Sequence, residues 1–186
     1  MIRPRKNSPI IPILRYLGET IPELLDLGVR ALIDPKQVAY EALLGEGFAR
    51  KTMLNRISYL QRSKYFKKTK GQDLYELTSE GRVAVIRIKI LDKLQQVETR
   101  WDGLYRAIGF DIVEERRRDR ALLRQELRVL GLIELQHSLW VTPIDITQEL
   151  LALLKLWQVE LAGDVRVLLI KEIHDDKDIR KRFRIR

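Results

Sequence analysis

No cysteine occurs among the 186 residues, which excludes a disulfide framework, a thiol nucleophile and any cysteine-based zinc or iron-sulfur site. Histidine is nearly as scarce. His137 and His174 are the only two, neither has a second ligand at zinc spacing, and both are expected at a surface or strand edge. No apolar run is long enough for a membrane span, and the opening MIRPRKNSPIIPIL breaks its short apolar stretch with prolines and lacks a small-residue cleavage site. A cytoplasmic protein with no membrane partner is expected. Ser138 lacks the Gly-x-Ser-x-Gly context of an activated serine, and no internal repeat stands out.

Apolar bulk and positive charge are both abundant. Apolar residues make up 45% of the chain, enough to fill real cores, and the formal net charge of +9 favours polyanionic partners such as nucleic acid. The charge is uneven. Residues 1–100 hold 19 Lys and Arg against 11 Asp and Glu, whereas residues 101–186 hold 16 against 15. From Phe48 to Gly71 the chain carries Arg50, Lys51, Arg56, Arg62, Lys64, Lys67, Lys68 and Lys70 with no acid.

Helical spacing dominates the first part. Ile10–Leu17 reads as a short helix, and the Thr20-Ile-Pro-Glu23 capping-box spacing opens a second helical run ending near Ile33. Asp34-Pro35 sets an N-cap and a first-turn proline for a helix to about Leu44, and Gly45-Glu-Gly47 breaks it. From Ala49 to about Ser63 a further helix places Met53, Leu54, Ile57 and Leu60 on a core-facing arc, with Lys51, Thr52, Asn55, Tyr59 and Arg62 opposite and Arg56 on the flank. Tyr65–Thr69 and Leu74–Thr78 predict two strands around Lys70-Gly71-Gln72-Asp73. Helix, turn, helix and hairpin follow the order of a winged helix-turn-helix. Thr78-Ser-Glu80-Gly81 then caps a linker helix to about Val97.

The second half alternates differently. Trp101–Ile112 predicts a strand, Glu114–Leu130 a helix, Leu132–Gln136 and Ser138–Thr142 two strands, Ile144–Gln158 a helix and Val165–Ile173 a strand. This β-α-β-β-α-β order is that of the ferredoxin-like motif, in which two helices cover one sheet face and leave the other for a homodimeric partner. Trp101, Trp140 and Trp157 are expected in core or dimer packing. Arg116-Arg-Arg118, flanked by Glu114, Glu115 and Asp119, fits a solvated face, and the tail Asp175–Arg186 could add a short strand to a partner's sheet.

Leu74-Tyr-Glu-Leu-Thr-Ser-Glu-Gly-Arg82, Trp101-Asp-Gly-Leu-Tyr-Arg106, Gly109-Phe-Asp-Ile112, then Arg120, Leu123, Leu127 and Gly131, resemble the PaaX-type repressors of phenylacetate catabolism. Leu135-Gln-His-Ser-Leu-Trp140 with Thr142-Pro143 is similar to the core of the small CRISPR-associated adaptation endonucleases, although Leu139 stands where that family more often has valine. The resemblance runs from about Asp34 onward and is strongest over Leu74–Pro143. It implies an α+β protein: a winged helix-turn-helix over 1–78, a linker helix over 79–100 and a ferredoxin-like dimerisation domain over 101–186. Full-length PaaX repressors carry an additional C-terminal domain that this sequence, ending at Arg186, does not reach, so the resemblance does not extend to effector-controlled derepression.

Together these features predict a homodimeric repressor of PaaX type that binds double-stranded DNA without a cofactor. Arg50, Lys51, Thr52, Asn55, Arg56, Tyr59 and Arg62 are expected to contact DNA from the helix and Lys67, Lys68 and Lys70 to lie along the phosphates, since Lys and Arg neutralise phosphates while Asn and Arg pair with base edges. A solvated basic face and a lysine-guarded edge strand are the plainer readings of the same residues. The alternative is a metal-dependent endonuclease or DNA-handling scaffold. It rests on Asp111, placed where the CRISPR-type enzymes carry a metal-binding aspartate, with two copies across a dimer holding Mg²⁺. A strand-end aspartate could equally cap the next helix. A third option uses the wing as a protein-interaction surface.

Overall fold

A computed structural model describes residues 8, 10–21, 24, 26, 32–43, 50–95, 101–158 and 164–185, with the side chains of 43, 50–53 and 158 left out. The chain divides into two units, 1–89 and 90–186. In the first, α1 (Ile11–Thr20) starts behind a proline in its first turn and buries Ile13, Leu14 and Leu17. Thr20 ends this helix, its hydroxyl donating to the Tyr16 carbonyl at 2.8 Å, so it does not open a second one. The expected second run is further corrected by Leu32–Ile33, which form strand β1; the capping-box partner Glu23 lies outside the described residues. Asp34 caps α2 (Pro35–Leu43) as read: its carboxylate accepts the Lys36 N–H at 2.8 Å and its carbonyl the Val38 N–H at 3.0 Å. The Gly45–Gly47 break lies outside the described residues.

Helix α3 (Arg50–Arg62) leads into β2 (Phe66–Lys68) and β3 (Tyr75–Leu77), an antiparallel hairpin with Phe66 opposite Leu77 and Lys68 opposite Tyr75. Strand β1 joins the other side of β3, giving the order β1-β3-β2. The core of this unit gathers Ile13, Leu14 and Leu17 of α1, Leu60 of α3, Phe66 and Leu77 of the hairpin, and Val85 of α4 (Ser79–Gln95).

Four residues close the hairpin onto α4. The Thr78 hydroxyl accepts the Gly81 N–H at 3.1 Å and donates to the Lys64 carbonyl at 2.7 Å, while the Thr78 N–H donates to the Tyr65 carbonyl at 3.0 Å. A Cβ on Gly81 would stand 2.2 Å from the Tyr65 oxygen and 2.7 Å from Leu77 Cδ2, so only glycine fits. Arg82 then donates to the carbonyls of Leu24 and Asp26, both at 3.0 Å.

In the second unit β4 (Tyr105–Asp111), α5 (Arg117–Val129), β5 (Ile133–Gln136), β6 (Leu139–Thr142), α6 (Thr147–Gln158) and β7 (Asp164–Ile170) keep the β-α-β-β-α-β order read in the sequence. The sheet is antiparallel, in the order β5-β6-β4-β7. β4 starts later than expected because Trp101–Leu104 forms a turn: the Asp102 carboxylate accepts the Leu104 N–H at 3.0 Å, and Gly103 takes a φ of 80° that favours glycine. Arg106, 4% exposed, crosses back to Asp102 at 2.5 Å and to Asp145 at 3.2 Å. Lys93 of α4 donates to the Asp145 carbonyl and to the buried Glu149, each at 2.9 Å.

One sheet face carries Trp140, over which Arg128 of α5 lies at 5.3 Å. The other corrects the expectation of a free face. Residues 177–183, read as strand-forming tail, form helix α7 (Lys177–Phe183), and Ile179 packs with Tyr105, Ala107 and Val141. Helical i,i+4 spacing puts Ile179 and Phe183 on one stripe. Tyr105 donates its hydroxyl to Asp176 at 2.5 Å, and Arg180 reaches Asp176 at 2.8 Å while lying 4.7 Å over the Trp101 ring. Burial, then the Asp176 hydrogen bond, pushes the Tyr105 phenol up to about 12. The Tyr105 hydroxyl, then Arg180, holds Asp176 below the usual carboxylate range.

Two outcomes are expected. Gly81→Ala costs about 3 kcal/mol of unfolding free energy by urea titration, because backbone rather than a flexible side chain must yield. Asp176 favours the folded state only while charged, so its contribution is complete above its unfolded pKa and disappears as pH falls through the lower folded value. Amide-exchange protection of α7 therefore fades at acid pH in the wild type, and in Asp176→Asn it is already low at pH 7.

Candidate nucleic-acid interface

Helix α3 is anchored through Leu60, 0% exposed, with Ile57 half-buried beside it. Leu54, expected on the same arc, is instead 56% exposed. At 100° per residue, Leu54 stands about 120° from Leu60, past the margin of the buried stripe. Met53 lies on the arc, but its side chain is outside the description, as are those of Arg50, Lys51 and Thr52; all four backbones are in α3.

Around the other side, Leu54, Ser58, Arg62, Asn55 and Tyr59 follow one another as an exposed arc. Arg62 lies along the helix, its Nε donating to the Ser58 carbonyl at 3.0 Å. Arg56 sits on the flank and is half-buried. The arc thus combines an amide, a phenol, a hydroxyl, a guanidinium and an isobutyl group, a set suited to base edges as well as to phosphate.

The hairpin follows directly. Lys67 and Lys68 of β2 and Lys70 of the turn are exposed, and Gly71, at a φ of 78°, allows the chain to reverse. Lys68 and Asp73 form a solvent-exposed ion pair at 2.8 Å. The hydrogen bond to Asp73 raises the Lys68 pKa, and the same contact lowers that of Asp73. Lys67 faces Glu76 across the strand pair. The acid-free run stops at Gly71, and Asp73 and Glu76 meet the lysines across the hairpin, so its first strand is less uniformly positive in space than in sequence.

Asp111 is exposed at the end of β4 and pairs in register with Asp164. Asp164 is held by Arg166 at 2.7 Å, which also keeps its pKa low. The 3-10 turn Glu114–Arg116 and helix α5 both start without a side-chain cap, so Asp111 does not serve the capping role considered for it. Among the described residues no group of three or more His, Cys, Asp or Glu side chains could hold a metal ion. His137 is exposed and contacts Glu134 at 2.9 Å. No described helix is long and apolar enough to cross a membrane.

Sequence reasoning missed the exposure of Leu54, the pairing of Lys68 with Asp73 and the role of Arg82. The helical wheel contained the first; the second depends on how the hairpin pairs and the third on contacts with Leu24 and Asp26, far earlier in the chain. If α3 is seated as described, Leu60→Ala lowers unfolding free energy by about 2–5 kcal/mol, whereas Leu54→Ala changes it by less than about 0.5 kcal/mol. Thermal or urea unfolding of the two variants distinguishes them.

Residues 98–180 match the family model of the PaaX protein central Cas2-like domain. No curated protein and no solved structure matches the chain significantly. The matched span covers the four-stranded sheet, α5, α6 and the first part of α7, and it lies outside the α3 and hairpin surface.

Proposed function

We propose, from the PaaX-type central Cas2-like domain that residues 98–180 carry, that the protein is a transcription regulator that binds duplex DNA through its first unit. The single observation that carries the reading is the exposed arc of α3 continuing into a lysine-bearing hairpin. Residues 1–78 act as a winged helix-turn-helix, with α3 in the major groove and β2-β3 along the phosphates. Helix α4 serves as the linker. The second unit dimerises, so that two first units address the half-sites of one operator, and occupancy of the operator represses.

Roles divide by chemistry. Lys51, Arg50, Lys67, Lys68 and Lys70 neutralise phosphates and release counterions; Asn55, Thr52, Arg56, Tyr59 and Arg62 contact base edges and sugar. Replacing Asn55, Arg56 and Tyr59 together by alanine weakens binding to a selected duplex by about 100-fold, while Lys67→Ala with Lys70→Ala lowers the salt slope by about 2. Fluorescence anisotropy across a salt series measures both. Wild-type affinity retained in the triple variant rejects the reading.

The second reading, a Mg²⁺-dependent nuclease, is favoured only by the exposed strand-end position of Asp111. Its test is incubation with Mg²⁺ or Mn²⁺ and plasmid or RNA. No cleavage, or cleavage that survives Asp111→Ala, excludes it.

A further inference from the structure

Phosphate neutralisation leaves Leu54 without a role. It is a large aliphatic side chain, 56% exposed, in the N-terminal half of a helix whose other described exposed groups are polar. Burying it on a partner would stabilise a complex by removing apolar surface from water, so its position points to an apolar group on what α3 meets. Its sequence neighbour, Asn55, is exposed on the same arc and presents an amide. On the major-groove edge an amide pairs bidentately with adenine N6 and N7, and an aliphatic side chain packs on the thymine C5-methyl. Both complements belong to A·T pairs, and guanine and cytosine present neither.

Adjacent residues of a helix rise about 1.5 Å and diverge by about 100°, so Leu54 and Asn55 leave α3 in different directions and can meet different base pairs of one site. Arg62, the arginine on this arc, is at the far end of α3 with its Nε committed to the Ser58 carbonyl. We infer that α3 is specific for a step containing A·T pairs, with Asn55 reading an adenine and Leu54 a neighbouring thymine methyl. This rests on the DNA-binding reading above and adds the base preference to it.

The test uses the full chain. Duplexes are selected from a randomised pool, and the selected duplex is titrated by anisotropy against versions in which each thymine in turn is deoxyuridine, which removes only the methyl group. One such replacement is expected to weaken the wild type by about 3- to 10-fold and to leave Leu54→Ala unchanged. Asn55→Ala is expected to lose about 10-fold of the preference for adenine over guanine at the adjoining pair. The urea-unfolding midpoints of both variants should match that of the wild type, which reports that they fold. Deoxyuridine without effect at every thymine, an unchanged base preference in Asn55→Ala, or equal weakening of Leu54→Ala on all duplexes overturns the inference and leaves DNA binding standing. Failure of the wild type to bind any duplex overturns both.

Discussion

The first unit depends on the absence of a side chain at Gly81. There the backbone of α4 comes so close to the Tyr65 carbonyl that a single methyl group would collide with it at 2.2 Å. Thr78 makes the approach productive, joining the turn after α3, the end of β3 and the start of α4 through one hydroxyl and one amide. Arg82, one residue later, fixes the carbonyls of Leu24 and Asp26. Whatever α3 and the hairpin present to a partner, this junction constrains their spacing, because it ties the turn that follows α3 to the end of the outgoing strand.

The second unit uses its charges differently. Arg106 is nearly inaccessible, and its two terminal nitrogens are taken up by Asp102, the Leu104 carbonyl and Asp145, while its Nε is buried without a partner among the described residues. Glu149 is buried against Lys93, Asp176 takes both Tyr105 and Arg180, and Asp164 takes Arg166. Each of these acids is matched by a cation, in the interior at Glu149 and at the surface at Asp164. The excess of cations in residues 1–100 includes lysines on an exposed hairpin.

Much of this was readable beforehand because it rests on local rules. Asp34-Pro35, the strand spacing of the hairpin, Thr78 as a cap and the β-α-β-β-α-β order all follow from nearby residues, and all are present. The errors fall where distant contacts decide. β1 is a strand because β3 offers it hydrogen bonds, not because Leu32-Ile33 alternate; α7 is docked by Tyr105 and Trp101, some seventy residues earlier. Leu54 was misplaced for another reason: apolar type was weighed above its angle on the wheel.

The residues that carry the PaaX resemblance are mainly framework. Thr78 and Gly81 close the hairpin onto α4, Arg82 holds the carbonyls of Leu24 and Asp26, and Asp102, Gly103, Tyr105 and Arg106 build the turn and anchor into β4. None of these belongs to α3. The family match, at residues 98–180, identifies the scaffold of the second unit and does not reach α3 or the hairpin. Charge alone cannot supply a choice of partner, since phosphates are the same along every duplex and a lysine meets them all alike. Discrimination requires groups whose complement differs between base pairs. Under the DNA-binding proposal the described surface of α3 offers several such groups, among them the amide of Asn55 and the exposed side chain of Leu54, the latter costly in water unless a partner covers it.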